Sequence, residues 1–278
     1  MFFYAALPEN LYIRFQFMNI SLKNKRALVC GSTIGIGKAV AIELASLGAE
    51  VTLLARNELR LSETLKELPR NNDQQHAILL ADHSDPVQFA DVVNFYLRSV
   101  TVNILVNNTG GPPAGPVSYA KTDEFTKAFN AHLICNHILA TACIDGMRKS
   151  GYGRIINIIS TSVKQPISGL GVSNTIRAAV ANWAKTLAGE LGQYGITVNN
   201  VLPGATATQR LSEIVENKSK SSGRKVEEIR AEMLHEIPMA RFGTPEEIAA
   251  GVAFLASPAA AYINGINLPV DGGRTACL

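Results

Sequence analysis

Residues 26–44 read Arg26–Ala27–Leu28–Val29–Cys30, then Gly31–Ser32–Thr33–Ile34–Gly35–Ile36–Gly37, then Lys38–Ala39–Val40–Ala41–Ile42–Glu43–Leu44. The first part is an apolar run of strand length. The middle is a turn with glycine at three positions. The last part carries apolar residues at helical spacing. Strand, glycine turn and helix in that order make a natural anion site. Glycine lets the backbone take positive φ or come close to a ligand, and the helix start presents free N–H groups with a positive dipole end. Short glycine turns also join strands to helices with no ligand, so the motif gains its meaning from the rest of the chain.

Beyond residue 44 strands and helices alternate regularly. Strands are expected at Ala49–Ala55, Ala77–Ala81, Asn103–Val106, Arg154–Ile159, Ile196–Val201 and Asn267–Val270. Helices are expected after Arg56–Asn57 to about Leu68, from Asp85–Pro86 to about Ser99, over about Thr122–Lys149 and Ser173–Tyr194, and from Thr244 to about Ser257–Pro258. Asp85–Pro86 and Thr244–Pro245–Glu246–Glu247 are helix-start signals. Residues 205–240 are polar, punctuated by Gly223 and Pro238, and read as a mobile lid with short helices. Strands separated by helices pair in parallel, and strand interiors that are apolar on consecutive residues expect helices on both faces. The fold class is therefore α/β, one Rossmann-type doubly wound sheet. Residues 20–278 form a single domain, and 1–19 an extension or an arm that packs on a partner subunit.

Composition supports this. Of 278 residues 47% are apolar and 18% charged, enough for a large core, and the net charge of +3 gives no nucleic-acid footprint. No apolar run is long enough to span a membrane. Cys30, Cys135, Cys143 and Cys277 lack metal spacing and read as buried, reduced thiols of a cytoplasmic protein. No metal is expected.

In open parallel sheets, ligands bind beyond the carboxyl ends of the strands. The polar punctuation falls there: Gly31–Gly37, Arg56, Asp82, Asn107–Gly110, Ser160–Ser162 and Pro203–Thr208. With these residues in view the chain resembles the short-chain dehydrogenase/reductase family over about residues 20–274. The match rests on Gly31-x-x-x-Gly35-x-Gly37, Asn107–Asn108–Thr109–Gly110 (the family usually has Ala in the third place), Asn130, Ser160, and Pro203–Gly204 with Thr208. The tail from Arg241–Phe242–Gly243–Thr244–Pro245–Glu246–Glu247 to Asp271–Gly272–Gly273 looks most like 3-oxoacyl-acyl-carrier-protein reductases.

The resemblance implies a nicotinamide dinucleotide lying along Gly31, Ser32, Thr33, Ile34, Gly35, Ile36 and Gly37. Further contacts are expected from Arg56, Asn57, Asp82, His83, Asn108, Thr109, Gly110, Arg177, Pro203, Gly204, Thr206 and Thr208. An acidic residue at the end of strand two would repel a 2′-phosphate. Here Ala55 and Arg56 stand there, and a guanidinium suits a phosphate, so NADP(H) is expected over NAD(H). Asn107 has a purely structural alternative, bridging strand ends. A homodimer or homotetramer is implied, with the two long helices pairing across a two-fold axis. Ala178, Ala179, Ala181, Ala184 and Ala188 would serve close packing inside one subunit equally well.

The family pattern breaks at one place. It implies a Tyr-x-x-x-Lys pair opening the second long helix, the phenol donating a proton while the lysine lowers its pKa and holds the nicotinamide ribose. Thirteen residues past Ser160, the family spacing, stands Ser173, and four further stands Arg177. The i, i+4 spacing keeps both on one helix face. A serine hydroxyl is a far weaker acid than a phenol, and arginine cannot relay a proton. Losing a general acid costs about 10²–10⁴-fold, which binding and charge stabilisation can outweigh. The candidate catalytic residues are Asn130, Ser160, Ser173 and Arg177. Substitute acids at the correct end of the sheet are Tyr119 and Lys164, while Tyr152 and Tyr194 flank the wrong ends of their elements. Two readings remain open: a reductase of 3-oxoacyl-like or other carbonyl substrates with an altered proton path, and a dinucleotide-binding pseudoenzyme acting as a sensor or hetero-oligomer subunit.

Overall fold

The computed structural model describes residues 18–71 and 73–277; the extension expected over the first nineteen residues lies almost entirely outside them. Seven parallel strands form one sheet: β1 (Arg26–Cys30), β2 (Glu50–Ala55), β3 (Ala77–Leu80), β4 (Ile104–Asn107), β5 (Gly153–Ile158), β6 (Ile196–Pro203) and β7 (Asn267–Val270). Their order is β3-β2-β1-β4-β5-β6-β7. The winding reverses between β1 and β4, so a crevice opens above their carboxyl ends.

The helices are α1 (Gly35–Ser46), α2 (Glu58–Glu67), α3 (Pro86–Leu97), α4 (Thr122–Phe129), α5 (Cys135–Ser150), α6 (Gly171–Leu191), α7 (Gln209–Ser222), α8 (Val226–His235) and α9 (Pro245–Ala256). They cover both sheet faces, which is why strand interiors are apolar without alternation. On one face α1 and α9 pack through small residues, among them Ala41, Ala45, Ala249 and Ala253, over Val29, Val51, Leu53 and Val106. On the other, α3, α5 and α6 bring Phe89, Leu139, Met147 and Leu187 over Leu28, Leu54, Leu105 and Ile155. Each such side chain contributes on the order of 1.5–3 kcal/mol by leaving water. The helix-start signals act as expected. Asp85 accepts from the N–H groups of Val87 and Gln88 at 3.1 Å. Thr244 and Glu247 close a capping box.

Three expectations need correction. The helical stretch from Thr122 is not one helix: a π-helical turn over Asn130–Ile134 separates α4 from α5. No glycine or proline marks it, so periodicity alone reads straight through. The region 205–240 carries helices longer than expected. α7 and α8, of 14 and 10 residues, close on an apolar cluster of Leu211, Val215 and Ile229. The thiols are not all buried, since Cys277 is exposed. The other three are buried, and burial pushes Cys135 and Cys143 up to about 12. The five alanines of α6 divide: Ala181, Ala184 and Ala188 are buried within the subunit, Ala178 is exposed and Ala179 half-buried. No helix among the described residues is long and apolar enough to cross a membrane.

Candidate active site

The crevice begins with the glycine turn. Gly31 and Gly35 hold φ of +56° and +53°, which L side chains rarely adopt. A Cβ on Gly37 would lie 2.1 Å from the carbonyl oxygen of Gly31, and one on Gly31 would lie 2.7 Å from that of Asn108. Asn108 clamps the turn, its Nδ2 reaching the carbonyls of Cys30 and Gly31 at 3.3 Å. No side chain caps the N-terminus of α1. Its first N–H groups therefore face the crevice free for an anion. A Cβ on Gly35 would touch Thr208 at 3.3 Å, so the loop after β6 closes over the turn. These features fit a dinucleotide pyrophosphate.

The other expected cofactor residues are of two kinds. Arg56 stands exposed at the end of β2, with no partner among the described residues. Thr33, Ile34, Gly110 and Gly204 border the crevice as loop residues, while Ile36 lies in the first turn of α1 and Pro203 ends β6. By contrast, several side chains are engaged in the fold. Ser32 is fully buried with Oγ donating to Leu54 O at 3.3 Å. Asn57 caps α2 by accepting from Arg60 N at 2.9 Å. Asp82 accepts from Ser84 N at 3.0 Å. Thr206 donates to Gly204 O at 3.1 Å, and Thr208 donates to Thr206 O while capping α7. The ring of His83 turns into the core against Phe89, with its Nε2 buried and unpartnered.

Asn107 takes the structural role. Its Nδ2 donates to Asn157 Oδ1 at 2.8 Å, Asn157 to Asn200 at 2.9 Å and Asn200 to Asn267 at 2.8 Å. These four are cross-strand neighbours on β4, β5, β6 and β7, so one ladder of amides crosses half the sheet.

Of the catalytic candidates, Ser160 lies just past β5, Ser173 and Arg177 lie in the first turns of α6, and Asn130 lies in the π-helical turn. Ser160 is half-buried, its Oγ accepting from Ser162 N at 3.1 Å. Ser173 and Arg177 lie one turn apart on α6, both buried, with Arg177 Nε donating to Ser173 Oγ at 3.3 Å. Arg177 Nη1 donates to Ile158 O at 3.2 Å, which ties α6 to the end of β5. The loop after β4 is stitched to the approach of α6 by Gly115 N to Gly169 O (2.7 Å) and Gly171 N to Gly115 O (3.1 Å). Asn130 opens the π-helical turn, its carbonyl accepting from Cys135 N. Its side chain makes no bond among the described residues. None of the candidate acids bonds Ser160, Ser173 or Arg177 among the described residues. Tyr119 is 84% exposed, Tyr152 donates to Ala256 O at 2.5 Å, and Tyr194 packs beneath Arg148. Lys164 accepts, through its backbone carbonyl, from the Cys277 thiol.

Two residues were missed in the sequence. His132, buried in the π-helical turn, bonds Thr109 through Nδ1 by a short contact. Burial first, then the charge of Arg177, pushes it down to about 3, so it is neutral. Thr109, where the family has Ala, thus has a partner. Arg210 on α7 reaches back to donate to Pro112 O at 2.7 Å. Neither residue belongs to a motif, and only the fold brings them to the crevice. Among the described residues no cluster could hold a metal.

A family model described as Enoyl-(Acyl carrier protein) reductase matches residues 31–275, nearly the whole chain. The chain belongs to the short-chain dehydrogenase/reductase family. A 3-oxoacyl-[acyl-carrier-protein] reductase FabG of Pseudomonas aeruginosa is 34% identical over 256 residues, 91% of this chain and 98% of that protein. The NADPH-dependent reductase BacG of Bacillus subtilis is 30% identical over 91% of this chain and 98% of its own. Among solved structures, L-sorbose reductase from Gluconobacter frateurii complexed with NADPH and L-sorbose superposes with a TM-score of 0.87 at 30% identity, covering 94% of this chain and all of that one. Membership makes the chain an oxidoreductase by family. The single sheet and its flanking helices are those of its neighbours.

Proposed function

We propose that the protein is an NADP(H)-dependent carbonyl reductase of the 3-oxoacyl-acyl-carrier-protein reductase type whose proton path lacks the family's phenol. One observation supports the atypical part: Ser173 and Arg177, which the family spacing sets where the resemblance implies Tyr and Lys, are joined at 3.3 Å. The NADP(H) preference rests on Arg56 at the end of β2 and on NADPH in the names of BacG and the sorbose reductase complex.

Gly31, Gly35, Gly37 and the open start of α1 would hold the pyrophosphate, Arg56 the 2′-phosphate, and Arg177 the nicotinamide ribose. A bound reduced nicotinamide supplies the hydride. The chain's own residues handle the substrate oxygen. Ser160 Oγ already accepts from Ser162 N, and Ser173 Oγ from Arg177 Nε. Both hydroxyls therefore have their protons free to donate to a carbonyl oxygen. Arg177 adds positive charge as that oxygen becomes an alkoxide. Neither serine ionises near neutral pH, so solvent supplies the final proton. Asn130, in the π-helical turn beside α6, is expected to order that solvent. The exposed outer faces of α5 and α6 are where a two-fold partner would pack in a homodimer or homotetramer.

NADPH oxidation with a panel of ketones and 3-oxoacyl thioesters tests this. Turnover with alcohol formed in equal amount supports the reductase. Tight NADPH binding with no turnover replaces it with the pseudoenzyme reading, which the lack of a tyrosine bonded to Ser160, Ser173 or Arg177 among the described residues favours.

A further inference from the structure

Gly111, in the loop after β4, lies between two guanidinium groups from separate helices. An atom at its Cβ position would lie 3.6 Å from Nη2 of Arg210 and 3.8 Å from Nη2 of Arg177. Arg177 is only 9% exposed. Its Nε and Nη1 are used within the fold, but among the described residues nothing accepts from Nη2 and no carboxylate pairs with the group. Arg210 is half-buried. Among the described residues it meets, beyond Pro112 O, only Glu213, at a loose 3.8 Å on a half-exposed surface. The nearby acids are committed elsewhere: Asp123 pairs with Lys127 at 2.8 Å, and Glu124 accepts from Lys121 N at 2.7 Å.

A buried cation without a counter-charge is costly, and a second cation facing it adds repulsion. Burial, with Arg210 second, pushes Arg177 down to about 10, which leaves it charged at neutral pH. Both costs fall when an anion enters between the two forks. Gly111 leaves room for one, because any side chain there would occupy that space.

We propose that Arg177 and Arg210 form a carboxylate pocket, which narrows the carbonyl substrate from a thioester to a compound carrying a free carboxylate near the carbonyl. The inference rests on the reductase reading, since the carbonyl is taken to sit at Ser173. Nε of Arg177 holds Ser173 while its Nη2 lies beside Gly111, so one guanidinium touches both the hydroxyl and the pocket. Planar forks suit carboxylates through paired charge-assisted bonds.

The test is calorimetric binding to the NADP⁺-loaded full chain, using pyruvate, acetoacetate, their methyl esters and inorganic phosphate. The acids should bind at least about tenfold more tightly than the esters. Arg210→Gln should lower that ratio by about 10–100-fold, and Arg210→Lys should retain part of it. Equal affinity for acid and ester, or no binding of either, overturns the pocket. Phosphate binding as tightly as the acids overturns the carboxylate assignment. NADPH oxidation with the same compounds separates the two readings. Acid-selective binding without turnover sinks the reductase and leaves the pocket. Equal turnover of acids and esters does the reverse.

Discussion

Arg177 Nε donates to Ser173 Oγ across 3.3 Å, one turn apart on the buried face of α6. On the function proposed above, this bond sets a hydroxyl that does not ionise, with a positive charge beside it, where the resemblance implies a phenol and a lysine.

Restoring the pair should therefore restore the acid. The double substitution Ser173→Tyr with Arg177→Lys should raise kcat for carbonyl reduction by about 10²–10⁴-fold, the usual worth of a general acid. Steady-state kinetics with saturating NADPH check this. A double variant that stays slow would mean that the phenol was not what the site lacked.

Arg56 should set coenzyme choice. Arg56→Ala removes a charged donor to the 2′-phosphate, so the NADPH-to-NADH affinity ratio should fall by about 10–100-fold. Fluorescence titration with both coenzymes reads the ratio. An unchanged ratio would assign phosphate recognition elsewhere.

The glycine turn should not accept a methyl group. A Cβ at residue 37 would sit 2.1 Å from the backbone oxygen of Gly31, which no side-chain rotation relieves. Gly37→Ala should cost about 1–3 kcal/mol in stability and lower NADPH affinity. Denaturant unfolding with and without NADPH measures both.

The amide ladder should matter for stability rather than turnover. Asn157 accepts from Asn107 and donates to Asn200 inside the sheet. Asn157→Leu strands one donor and one acceptor, a loss of about 1–3 kcal/mol for each. Equilibrium unfolding should show that loss.

Acid should weaken the fold through two histidines. Burial pushes His132 down to about 3 and His83 to about 4. Between those values and the ordinary value of about 6.5, the unfolded chain binds more protons. Stability is then complete above about pH 6.5 and declines as pH falls toward 3. The part above about pH 5 belongs to the histidines, since ordinary carboxylates titrate lower. Denaturant midpoints against pH should show this decline, and His132→Leu should flatten it.

Most of the sheet was legible because covered parallel strands are apolar on successive residues, and because Asp85–Pro86 and Thr244–Glu247 are local signals. The glycine turn was legible through spacing, and Ser160, Ser173 and Arg177 stood out only against the spacing of the family the chain resembles. Asn130 was readable as a residue, yet its π-helical turn was not, because the apolar period continues through it. The order of α7 and α8 was hidden for another reason. Only Leu211, Val215 and Ile229 close them, and that cluster is spread over 19 residues of polar text. His132 and Arg210 were invisible because their importance lies in Thr109 and Gly111, residues far away in the chain.

The most direct measurement is the pH dependence of kcat/KM for NADPH-driven carbonyl reduction. With serine and arginine as the only groups on the oxygen, the profile should be flat from about pH 6 to 9. A break between about pH 6 and 9 would reveal an ionising donor and contradict the account.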